Sequence, residues 1–69
     1  MIMLKGTVKW FNVKKGYGFI QAPNTSKDIF VHVTAVQQSG LRRLVDGQEV
    51  SFDVFDDRGR PAANHISLL

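Results

Sequence analysis

Two short stretches of this chain alternate with a period of two, and both carry aromatic rings on the row that is usually polar. In Tyr17-Gly18-Phe19-Ile20-Gln21, an extended backbone places Tyr17, Phe19 and Gln21 on one face and Gly18 and Ile20 on the other. In Asp28-Ile29-Phe30-Val31-His32-Val33, the apolar row is Ile29, Val31 and Val33, and the opposite row is Asp28, Phe30 and His32. Set side by side, the two strands assemble Tyr17, Phe19, Phe30 and His32 on one surface. Either both faces of such a sheet are buried, or the rings stand exposed as a platform. With 69 residues the chain is too short to cover both faces. A domain of this size buries only ~60% of the surface its unfolded chain exposes, and the platform is the expected outcome.

The residues around the first stretch fit that expectation. The glycines of Lys15-Gly16-Tyr17-Gly18-Phe19-Ile20 leave the backbone open to a flat group. Lys15 adds a positive charge. Rings that stack, a cleared surface and a cation suit an unpaired nucleic-acid strand. The charge distribution agrees. The net charge is +3, and residues 1–34 hold five lysines (Lys5, Lys9, Lys14, Lys15, Lys27) against Asp28 alone. Residues 35–69 hold four arginines against five acids. By itself a run of charge is only a solvated face. Interleaved with exposed rings it becomes an electrostatic footprint for phosphates. The modest total argues against a tight binder of duplex DNA.

Taken in order, residues 5–11 form a first strand rich in β-branched and aromatic residues. Trp10 and Phe11 are adjacent, so one of them faces out or a bulge bends the strand there. Residues 12–16 make a turn punctuated by Asn12 and Gly16, 17–21 the second strand, 22–27 a loop and 28–33 the third strand. Thr34 is a candidate N-cap for one short 3₁₀ turn before Ser39-Gly40. A long irregular connection follows over 37–47, closed by the turn signal Asp46-Gly47. In 49–55 the expected inward residues are Val50, Phe52 and Val54, with Ser51 and Asp53 outward. Residues 56–61 read as a polar loop and 62–68 as a last strand with Ile66 and Leu68 in the core. Five short strands without a useful amphipathic helix make an all-β domain, spanning 1–69. Closure into a five-stranded antiparallel β-barrel removes the exposed edges.

Several classes are disfavoured. The absence of cysteine excludes disulfide and cysteine–metal staples and fits a reducing cytoplasm. No stretch reaches the ~18 apolar residues of a membrane span. The apolar start Met1-Ile2-Met3-Leu4 is too short for a signal peptide, so a cytoplasmic protein is expected. Against an enzyme stand the missing nucleophile and P-loop motifs; Ser39 and Ser51 sit in none. His32 and His65 are the only histidines, and with no cysteine a zinc site would need carboxylates, so neither metal nor cofactor is expected. A rival of another class is an interaction barrel whose aromatic groove takes proline-rich peptides. The lysines around the rings disfavour it.

With these residues assembled, the chain resembles the bacterial cold shock protein family, single domains of the oligonucleotide/oligosaccharide-binding (OB) barrel type. Lys9-Trp10-Phe11-Asn12 is similar to the family's first-strand motif, Lys15-Gly16-Tyr17-Gly18-Phe19-Ile20 to its first ribonucleoprotein-like motif, and residues 28–33 to its second. Gly47-Gln48, Val50-Ser51-Phe52 and Pro61-Ala62-Ala63 match later strands, so the resemblance covers nearly the whole chain. It implies binding of single-stranded RNA and DNA with low sequence specificity, an RNA chaperone that destabilises secondary structure, and a role in cold-shock or stress gene regulation. The implied surface is Lys9, Trp10, Phe11, Asn12, Lys15, Tyr17, Phe19, Asp28, Phe30 and His32, with Arg58 and Arg60 carried over more loosely. Four positions depart from the pattern. Val33 and Leu41 replace family aromatics, and His65 replaces Asn in the last strand, which implies weaker binding per strand. Arg60 replaces a Gly before Pro61 and returns charge. Asp28 either accepts hydrogen bonds from base edges or caps the turn at Lys27. A monomer is expected, with a dimer swapped through 37–47 as the alternative.

Overall fold

The computed structural model describes residues 3–23 and 28–69; the 24–27 part of the expected loop, with the Lys27 turn, and Met1-Ile2 lie outside them. Five strands, β1 (Met3–Asn12), β2 (Tyr17–Gln21), β3 (Ile29–His32), β4 (Glu49–Asp57) and β5 (Arg60–Leu68), close into a barrel in the order β1-β2-β3-β5-β4. One helix, α1 (Val33–Gln38), lies between β3 and β4. Four junctions are antiparallel. The fifth, β3 with β5, is parallel and pairs Phe30 with Ala62. That junction closes the barrel expected from the strand count.

The core is what the inner rows of the strands and one face of α1 supply. Val8, Ile20, Ile29, Val31, Val36, Val50, Phe52 and Ile66 are all buried. The segment expected as a short 3₁₀ turn from Thr34 is a true helix, because both its ends are closed. His32, not Thr34, is the N-cap: its Nδ1 accepts from the Thr34 N–H at 3.1 Å. An accepting Nδ1 puts the proton of the neutral ring on Nε2. At the other end Gly40 has φ +82°, the Gly40 N–H donates to Gln37 O at 3.0 Å and the Leu41 N–H to Val36 O at 3.1 Å. These are the two bonds of a Schellman stop, which is completed by an apolar contact from the residue after the glycine. Leu41 supplies it, half-buried against the core cluster that contains Val36. Ser39 ties the helix end to β5, its Oγ donating to Ala35 O and accepting from the Ile66 N–H, both at 2.8 Å.

Two β-bulges break the alternation read from sequence. In the β4–β5 ladder, Ser51 pairs with Ser67 but Asp53 pairs with Asn64, so β5 carries one extra residue. His65 absorbs it with φ +50°. Asp53 is nevertheless buried, 5% exposed, and Val54, although paired with Ala63 of the core, is 37% exposed, the reverse of the burial that alternation leads one to expect. Leu68 is likewise 48% exposed and not core. The expected polar loop of 56–61 is instead strand up to a two-residue turn, Arg58-Gly59, with φ of +56° and +90°, the positive-φ pair that suits the twist of a tight hairpin.

Among the described residues the buried Asp53 carboxylate has one partner: Oδ2 accepts from His65 Nδ1 at 3.0 Å, while Oδ1 has none. His65→Ala leaves that carboxylate unsatisfied and puts Ala in a left-handed conformation. It is expected to cost roughly 2 kcal/mol in urea unfolding. His65→Asn, which tolerates the left-handed region, is expected to be near neutral. Equal midpoints for the two variants would show that neither backbone nor carboxylate depends on this position.

Candidate nucleic-acid interface

The ring surface is made by the other bulge. Along β1, Val8 pairs with Ile20, but the next pair is Trp10 with Phe19. Lys9 is the extra residue. Without it, Trp10 would follow Val8 into the barrel, because residues two apart share a face. The slip re-aims Trp10 onto the outer row beside Phe19 and sends Phe11 inward opposite Gly18. The adjacent pair Trp10-Phe11 is thus resolved by a bulge, with Trp10 outside.

Register does the rest. Tyr17 pairs with His32 and Phe19 with Phe30 across β2–β3. The ring centroids of Trp10 lie 5.5 Å from Tyr17 and 5.4 Å from Phe19, both edge-on. Phe19 and Phe30 meet edge-on at 5.8 Å, Tyr17 and Phe30 are stacked at 5.8 Å with a 27° interplanar angle, and His32 lies 6.3 Å from Phe30. Such geometry follows the ring quadrupoles. It also holds the rings against one another in a fixed arrangement. Trp10, Tyr17 and Phe19 are half-buried and His32 is exposed. Phe30 departs from the exposed platform expected: it is only 8% exposed. The Arg60 guanidinium sits over its face, 3.8 Å from the centroid.

The remaining site residues take up varied places. Lys15 is exposed in the β1–β2 turn. Asn12 builds that turn, its Oδ1 accepting from the Lys15 N–H at 3.0 Å and its carbonyl from the Gly16 N–H at 2.8 Å. Asp28 pairs with Lys9 Nζ at 3.1 Å, a third role beside the two weighed from sequence. Both side chains are partly exposed, and such a pair is worth only ~0–1 kcal/mol, a weak hold on the lysine. Arg58 is exposed in the β4–β5 turn. Phe11 and Leu41 do not join the ring cluster; both pack partly buried against the core. Val33 belongs to the first turn of α1 and not to β3, its N–H donating to Gly16 O at 2.8 Å. An open cleft of about 520 Å³ lies between the β1–β2 turn and the connection, walled by Val13, Lys14, Arg43, Leu44 and others. None of the five rings lines it. The rings instead form an open surface rather than the wall of an enclosed cavity.

The role of Gly18 also differs from the expectation. A Cβ there would stand 2.3 Å from the Trp10 carbonyl oxygen and 2.7 Å from Phe11 Cα. The glycine clears space for β1 at its bulge, on the inner side, rather than for a ligand.

Residues 4–69 match the family described as the 'Cold-shock' DNA-binding domain. The chain belongs to the cold-shock domain family. Among curated relatives, it is 49% identical over 67 residues to a probable cold shock protein of Sinorhizobium fredii, covering 94% of this chain and 97% of that protein. It is 45% identical over 69 residues to the cold shock-like protein CspC of Escherichia coli, covering 100% of both. To the cold shock-like protein CspE of Buchnera aphidicola it is 49% identical over 69 residues, 99% of this chain and 100% of the relative. As a cold-shock domain it is a nucleic-acid-binding protein of a binding family rather than an enzyme family. No helix among the described residues is long and apolar enough to cross a membrane.

The capping role of His32 and the place of Arg60 over Phe30 escaped the sequence reading. Histidine is not among the usual N-cap residues, so nothing flagged the first. A signal for the second was present: Arg60 and Ala62 share a face two residues apart, and Ala62 is too small to cover Phe30 itself.

Proposed function

We propose that this cold-shock domain binds unpaired RNA and DNA strands by stacking bases on the Trp10, Tyr17, Phe19 and His32 surface, with low sequence specificity. The observation that carries the reading is the Lys9 bulge, which brings Trp10 onto the same face as the β2–β3 rings. A core would have no use for it there. Stacking tolerates sequence because every base has a flat face. Lys9, Lys15 and Arg58 are placed at the margins to meet phosphates. A protein that binds only the open strand melts weak secondary structure by mass action, the behaviour of an RNA chaperone in cold or stress responses. This needs no catalysed reaction. The working form is a cytoplasmic monomer.

The test uses Trp10, the only tryptophan and part of the surface itself. Titration with oligothymidine is expected to quench its fluorescence saturably, and titration with a proline-rich peptide is expected to leave it unchanged. A peptide response without an oligothymidine response would replace this reading with that of an interaction barrel.

A further inference from the structure

Phe30 stands on the outer row, paired with Phe19 on one side and with Ala62 on the other, yet it is 8% exposed. Tyr17 stacks on it from one direction, and Arg60 lies over its face. The cover does not come from the barrel core. Over that face the cover is a side chain that is itself 55% exposed and whose ion-pair partner among the described residues is Asp57 Oδ2, 3.9 Å from Nη2. That distance is at the outer limit of an ion pair, and an exposed cation–π contact is the weaker partner when set against a base stacked on a ring.

We propose that Arg60 is a displaceable cover on the stacking surface. In the free protein its guanidinium holds the place over Phe30; when a strand binds, a base takes that place and the guanidinium moves to a neighbouring phosphate. This rests on the single-strand reading above. The exchange makes Arg60 a determinant of affinity with two opposed effects. Uncovering the ring subtracts from binding, by about two- to fivefold from the strength of an exposed cation–π contact. The phosphate contact adds to binding, and only while salt is low.

Salt separates the two. At ~1 M ionic strength the screening length falls to about 3 Å, and the phosphate contact is largely lost while the short-range contact with the ring is not. Arg60→Ala is therefore expected to bind hexathymidine no better than the unmodified protein at low salt, but about two- to fivefold more tightly at ~1 M. Its log–log salt slope is expected to be shallower by about 0.7, one phosphate contact. A second measurement needs no variant to fold: in the unmodified protein the Arg60 side-chain proton resonances are expected upfield, shifted by the Phe30 ring current. They should move towards ordinary values on saturation with hexathymidine. Weaker binding of Arg60→Ala at every salt concentration would overturn the inference and make the guanidinium a fixed contact. An Arg60 resonance that stays upfield in the complex would overturn it equally. Those outcomes leave the single-strand reading standing; failure of the unmodified protein to bind hexathymidine removes both.

Discussion

Gly18→Ala is expected to unfold most of the protein at room temperature. The added methyl group would lie 2.3 Å from the Trp10 carbonyl oxygen, 2.7 Å from Phe11 Cα and 2.8 Å from Phe11 Cδ1. The first two are backbone atoms of β1, which cannot retreat without opening the β1–β2 ladder and the Lys9 bulge. Overpacking costs ~1–3 kcal/mol even where side chains can yield, and here two of the three obstacles are backbone atoms. A core of this size rarely supplies more than ~3–5 kcal/mol, so little stability would remain. Gly59→Ala is the control, because a Cβ there meets nothing within 4 Å and only the φ of +90° is strained. It is expected to lose roughly 1–2 kcal/mol. Urea titrations followed by circular dichroism compare the two. If Gly18→Ala folds like the parent but binds nucleic acid poorly, the glycine clears space for the ligand after all, and the steric account fails.

The second expected result is a wide gap between single strands and duplex, removed by taking away a ring. A duplex hides its base faces, so a stacking surface acts only on unpaired bases. Each well-stacked base is worth ~1–3 kcal/mol by alanine substitution, so Phe19→Ala is expected to weaken single-strand binding roughly 5- to 150-fold. Phe19 and Trp10 are the clean positions for this test. Phe30 is not, since it is buried and its removal also costs packing. Two to four phosphates neutralised by Lys9, Lys15 and the β4–β5 turn would give a log–log salt slope of about −1.4 to −2.8 at ~0.7 per contact. The measurement is a paired titration of a thymine-rich strand and its matched duplex over several salt concentrations, for the parent and for Phe19→Ala. Equal affinity for both forms with a steep slope would identify a general polyanion binder and sink the stacking account.

Much of this arrangement is local and therefore legible in the sequence. Period-two alternation in Tyr17–Gln21 and Ile29–His32 assigns each side chain to a face as soon as the backbone is extended. Ile20, Ile29 and Val31 are inside for that reason, and Tyr17, Phe19, Phe30 and His32 share the other face. Glycine at positions of positive φ marks turns through its own backbone freedom, as at Gly16 and Gly47. The surplus of lysine in the first half is likewise independent of the fold.

The rest depends on residues far apart in the chain. A bulge is a mismatch between two strands, so neither Lys9 nor His65 could be picked out from β1 or β5 alone; the count of residues on the partner strand selects them. Burial departs from alternation as well: Asp53 is covered although it pairs with Asn64 beside the bulge, and Leu68 is exposed although it pairs with buried Val50. Leu41 and Val33 were placed by likeness of position, but Leu41 is drawn to the core by the stop of a helix whose cap is a histidine. The exposure of Phe30 was decided last of all. By its row it belongs on the surface, and by closure of β3 on β5 a side chain thirty residues further along the chain comes to lie across its face. Which face a side chain takes is set by the backbone within a strand; what then covers that face is set only when the barrel closes.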